Sequence, residues 1–194
     1  MRLRVIVTLA MALALAAGSA SAQTGSIGAY FDPAGATCSA TQIPFNPGTL
    51  YVLALLGGDS SAGITGAEFR LDGVPGAWFP SANGRPGSTT VANPLTGGCN
   101  IAFLCDSGSG GVVLLYTVNY FVTSLINEVT IHVDRHTNPS NPNFICPLVT
   151  LCDAPAFSAR CSRNGEAFIN HAGPGCLVGV EPATWSHVKS LYEH

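Results

Sequence analysis

The sequence predicts an all-β protein: an antiparallel β-sandwich with a short C-terminal helix, preceded by a cleaved export signal. Three observations carry that prediction. Apolar runs of strand length are separated by turn residues drawn from 22 Gly and 13 Pro. Two segments, ITGAEFRL (64–71) and NEVTIHVDRH (127–136), alternate apolar and polar residues with the period of a strand. A helical spacing of apolar residues occurs convincingly only near the end, in ATWSHVKSLY (183–192).

The first 22 residues read as a secretory signal. Arg2 and Arg4 form its basic start, Val5 to Ala17 its apolar run, and Ala20-Ser21-Ala22 a small-residue cleavage pattern, so the mature chain is expected to begin at Gln23. The apolar run falls short of the ~20 residues a bilayer helix needs. Residues 23–182 then form one sandwich domain and 183–194 a helical tail. The expected location is extracellular or periplasmic, with no membrane span in the mature chain.

The strands follow in order. Ser26 to Phe31 is the first, stopped by Asp32-Pro33 and Gly35. Thr49 to Leu56 is strongly apolar, opened by Asn46-Pro47-Gly48 and closed by Gly57-Gly58. Ile64 to Leu71 points Ala67, Phe69 and Leu71 inward and Glu68 and Arg70 outward. Gly73 to Pro80 leaves the sheet with Trp78 and Phe79, either a cap on the core or an exposed ligand platform. Residues 81–87 read as a loop, and short strands follow at 89–91 and 99–105. At the centre, VVLLYTVNYF (112–121) reads as a strand apolar on both faces, paired in a hairpin-like way with 127–136. After the Pro/Asn loop 137–143 come strands at 148–151 and 157–163. Asn164-Gly165 signals a hairpin turn into 166–169, and 177–180 is the last strand.

All seven cysteines lie after the signal, and in an exported chain disulfides are the default. An odd number leaves at least one thiol free or paired between molecules. The candidates are Cys99, Cys105, Cys146, Cys152, Cys161 and Cys176, with Cys38 the seventh. A Cys99–Cys105 clip and a Cys161–Cys176 staple are the favoured pairings. The first requires its segment to bend, because ends of a straight seven-residue strand stand ~20 Å apart.

Composition excludes some functions. Only 10% of residues are charged and the net charge is −3, which leaves no electrostatic footprint for nucleic acid or anionic membrane. Chemistry has one candidate place. His132, Asp134 and His136 share the outward face of a strand, alternate residues ~6.7 Å apart, with His171 or Asp153 available as a fourth metal ligand. The same pattern also suits a solvated polar face, and no metal or other cofactor is expected. Gly58-Asp59-Ser60 follows an apolar strand but lacks the partners of a hydrolase nucleophile and reads as a turn. Glu68 with Asp72, and Glu128 with Asp134, are outward carboxylates on strands rather than an acid–base pair across a cleft.

Two stretches carry resemblances. TLYVLALLGGDSSAGITGAEFRLDGV (49–74) resembles the opening strands of cohesin-like and related immunoglobulin-like modules of exported bacterial proteins. That likeness implies a sandwich, and cohesins bind dockerin partners through a sheet face. VEPATWSHVKSLY (180–192) is similar to a tail that closes exported proteins of environmental bacteria, matched at Glu181, Thr184, Trp185, Val188, Lys189, Leu191 and Tyr192. The expectation is a non-enzymatic structural, adhesive or assembly component, with extracellular proteins or cell-surface glycans as partners. A carbohydrate- or ligand-binding module using Trp78 and Phe79 is the alternative, and a metal-dependent enzyme on the histidine row a third.

Overall fold

The computed structural model describes residues 24–124, 128–171, 173, 175 and 176. The signal at 1–22, the strand at 177–180 and the helix at 183–192 lie outside them. Thirteen strands run through the described residues: β1 (Ser26–Tyr30), β2 (Ser39–Ala40), β3 (Pro47–Leu55), β4 (Ile64–Asp72), β5 (Ser81–Gly84), β6 (Thr89–Asn93), β7 (Gly98–Asp106), β8 (Val112–Phe121), β9 (Val129–Asp134), β10 (Leu148–Leu151), β11 (Ala159–Cys161), β12 (Arg163–Asn164) and β13 (Glu166–Ile169). A five-stranded sheet has the order β12-β1-β3-β8-β5. An eight-stranded sheet has the order β11-β10-β4-β9-β13-β2, with β7 added against β4 and β6 against β7. The inward residues of both sheets meet in one core, Ile27, Val52 and Val118 from the first and Phe69, Ile131 and Ile169 from the second. The protein is a β-sandwich. Most pairings are antiparallel, but β1–β12 and β13–β2 are parallel, so both sheets are mixed.

The expected central hairpin does not exist. β8 is flanked by β3 along nine registered pairs and by β5 along four, whereas β9 sits in the other sheet between β4 and β13. Adjacency in sequence is only a tendency, and the long apolar β3 is the better neighbour for β8. Nor is β8 apolar on both faces along its length: its far end alternates buried Val118 and Tyr120 with Thr117, Asn119 and Phe121. The segment expected as a loop at 81–87 supplies β5, which closes this edge of the sheet.

Asn164-Gly165 is not a hairpin turn. A type I′ turn needs positive φ at both central residues, and neither residue has it. Here the chain passes from one sheet to the other, β12 against β1 and β13 against β9. Gly165 serves close approach instead: a Cβ there would meet Gly28 Cα at 2.5 Å.

The disulfides are Cys38–Cys176, Cys105–Cys152 and Cys146–Cys161. Both favoured pairings are therefore corrected. Cys99–Cys105 fails because 98–106 is one strand, β7, and its ends cannot meet. Cys161 faces Leu148 on the neighbouring strand β10, and is taken by Cys146 just before it. Cys176 goes to Cys38, and the free thiol is the buried Cys99. Three disulfides fit an oxidising compartment.

Trp78 caps one end of the core. Only 1% of it is exposed, and it stacks on Tyr120 with ring centroids 5.3 Å apart. Gly48, opposite Tyr120, leaves the space that the tyrosine ring fills. Of the expected Trp78–Phe79 platform, the indole is thus inside the molecule and only Phe79 is presented outward.

Candidate functional site

The outer face of the eight-stranded sheet divides into two halves. The first holds the histidine row. His132 and Asp134 do project outward from β9, beside Asp72 and Arg70 of β4 and Glu166 of β13. His132 Nδ1 lies 2.9 Å from Glu166 Oε1, while Asp134 accepts from Asn164 Nδ2 at 2.9 Å and stands 3.6 Å from Arg70 Nη2. His136 lies past the strand, where its Nδ1 accepts the Asn138 N–H and its ring occupies the space over Gly98. His171 Nε2 is 3.2 Å from Thr130 Oγ1, and Asp153 accepts the Ser158 N–H. Each side chain of the row thus turns to its own neighbour. Among the described residues no three His, Cys, Asp or Glu gather to hold a metal ion. Exposed ion pairs of this kind contribute little to stability.

The second half is a groove that the sequence did not reveal. Strand register lays two transverse rows side by side. One runs Val91, Asn100, Glu68, Leu148 across β6, β7, β4 and β10, and the other runs Thr89, Ala102, Gly66, Thr150, Ala159 across those strands and β11. The second row is built of small residues, so it forms a trough of about 310 Å³. Gly66 is obligatory at its floor, because a Cβ there would meet Ile101 O at 2.6 Å.

Glu68 lines this groove and is only 5% exposed. Alternation alone places it outward on β4. It is covered because β9 and β10 lie on opposite sides of β4, so the connection between them must cross that strand. As it crosses, the Ser140 N–H reaches both carboxylate oxygens of Glu68, at 3.2 and 3.0 Å. That amide is the one hydrogen-bond donor Glu68 has among the described residues, against a carboxylate's ~4 acceptor positions. Among the described residues no lysine, arginine or histidine lines the groove.

Two disulfides frame the groove. Cys105–Cys152 joins β7 to the end of β10 across the start of β4, and Cys146–Cys161 pins the crossing connection to β11. Two large apolar side chains stand exposed on segments that continue from the groove: Leu104 on β7, two residues beyond Ala102 (89%), and Ile145, three residues before Leu148 (84%). Below the groove, on the core side of β7, Cys99 is fully buried, and burial pushes its thiol up to about 12. Ser60, the serine of the Gly58-Asp59-Ser60 turn, is also buried, its Oγ donating to Gly57 O and accepting the Gly57 N–H.

No family model matches the chain, and no curated protein matches it. Among solved structures, a cohesin module from a Clostridium perfringens family 33 glycoside hydrolase is similar at 11% identity and a TM-score of 0.47, covering 77% of this chain and 100% of its own. The sixth cohesin of Acetivibrio cellulolyticus scaffoldin B, solved in complex with a Cel5 dockerin, gives 12% identity and a TM-score of 0.44 over the same shares.

Proposed function

We propose that this protein is an exported, non-catalytic recognition module, an adhesive or assembly component that holds a protein partner in the groove over Glu68. The observation that carries this reading is a nine-tenths buried carboxylate lining an open groove with a single amide donor. A carboxylate taken out of water is costly unless its remaining acceptor positions are filled. A lysine or arginine side chain from a partner would fill them, and the exposed Leu104 and Ile145, on the segments that continue from the groove, would add apolar surface to the contact. The lining also speaks against hydrolysis. It offers one carboxylate with hydroxyls and an amide, and not the carboxylate pair of a glycosidase or a nucleophile with its base.

The test is a photo-crosslinking residue placed at Leu104 in the producing cell. A discrete protein adduct is expected, absent when Ala102→Trp fills the trough and weakened by Glu68→Gln. An adduct that survives both substitutions would overturn the reading, as would turnover of any substrate that Glu68→Gln abolishes.

A further inference from the structure

The opposite side of the molecule, the outer face of the five-stranded sheet, has a different chemistry. Alternation puts Ser81, Asn119 and Thr49 in one transverse row there, and Asn83, Thr117 and Tyr51 in the next. Thr49 Oγ1 donates to Asn119 Oδ1 at 3.1 Å, which turns the amide so that its Nδ2 remains a donor. The two rows are hydroxyls and amides throughout, with no charged residue in either.

Three exposed phenylalanines stand at one end of these rows. Phe121 continues β8 beyond Asn119. Phe45 is fixed beside it by its N–H, which donates to Val122 O at 2.6 Å. Phe79 precedes Ser81 by two residues, and the turn it closes is held to the same end by Thr123 Oγ1 donating to Ala77 O. Phe45 and Phe79 are 74% and 75% exposed, and both have left-handed backbone, φ 63° and 50°. That conformation is disfavoured for a bulky residue, and strain of this kind concentrates where a ligand is held. Neither ring gains burial in return.

We propose that this face binds a neutral carbohydrate chain. Phenyl rings cover the apolar C–H faces of sugar rings, and the amide and hydroxyl rows pair with sugar hydroxyls. The absence of charge in the two rows selects this ligand over its rivals. A nucleic acid or an anionic polymer requires Lys or Arg among these rows, whereas Arg163 stands on β12 at the far edge of the sheet; a protein interface would centre on a continuous apolar patch rather than on uncharged hydrogen-bonding rows. The proposal is independent of the groove, which lies on the other sheet.

The experiment is affinity electrophoresis of the full chain in native gels containing hydroxyethylcellulose, galactomannan or laminarin, with alginate as the anionic control. Retardation is expected in at least one neutral polymer, insensitive to added salt, and about tenfold weaker for Asn119→Ala and for Phe79→Gly. Phe79→Gly separates binding from folding. Glycine takes the left-handed backbone freely, so the thermal midpoint should hold or rise while binding falls. Ala102→Trp, in the groove, should bind the polymer as the native chain does. No retardation in any neutral polymer, equal retardation by both face variants, or retardation confined to alginate would each overturn the proposal.

Discussion

Cys99 and Asp106 lie close together in the sequence, on the same strand, and have opposite environments. Cys99 is the free thiol, and its burial against the core keeps it protonated, with a value near 12. It should therefore resist alkylation in the native protein and react fully in denaturant, giving one modified thiol per chain by mass spectrometry. Modification of the native chain at the same rate as the unfolded one would contradict its burial. Asp106 has its carboxyl held below the ordinary value of 3.8, first by the Gly108 N–H and then by Arg85. A depressed folded value means the unfolded chain takes up the proton first on acidification. The stabilisation is thus complete above the unfolded value and is lost as pH falls through the folded one. Asp106→Asn should cost about 1 kcal/mol near neutral pH, from urea unfolding. The gap to the native chain should close well below pH 3.8.

At the scale of elements, strands were legible in the sequence and their partners largely were not. ITGAEFRL declared β4 because every second residue had to be apolar, and Ala67, Phe69 and Leu71 are indeed buried. Nothing in that alternation says which strand lies alongside, so 112–121 and 127–136 looked like neighbours although they belong to different sheets. The groove was illegible for the same reason. Glu68 reads as an ordinary outward carboxylate until the β9–β10 connection is known to cross it, and that crossing is a property of strand order. The one available signal was the Pro/Asn segment 137–143, too long for a tight turn. Phe79 stands out in the sequence by its aromatic ring, but only the backbone shows that Phe45 shares its conformation and its end of the sheet.

The disulfides are the elements' own test. Cys146–Cys161 closes 15 residues and is worth about 3 kcal/mol in the chain-entropy account. Cys38–Cys176 spans 138 residues and is worth more, about 5 kcal/mol. The effect on the groove should run the other way. Cys146→Ser with Cys161→Ser frees the connection that covers Glu68, and should reduce the Leu104 crosslink while costing less stability. Cys38→Ser with Cys176→Ser should cost more stability and leave the crosslink intact. A crosslink that follows stability rather than position would show that the groove has no specific role.

On the scale of the whole molecule, a sandwich offers two outer faces separated by a packed core ~10 Å thick. Here those faces differ in chemistry: a disulfide-framed groove with a buried carboxylate on one, and two uncharged rows edged by phenylalanines on the other. Substitutions that far apart and without shared partners act additively. Ala102→Trp should therefore remove the protein adduct and keep the polysaccharide interaction, and Phe79→Gly should do the reverse. The double variant should show the two losses and no more. The decisive measurement is retention of the crosslinked partner on a column of the neutral polymer that retards the native chain. If both faces are occupied together, the partner is held through this protein and released by Phe79→Gly, and the module acts as a bridge between a glycan and a second protein. If the partner and the polymer instead displace each other, the two faces are not filled together and the protein is not a bridge.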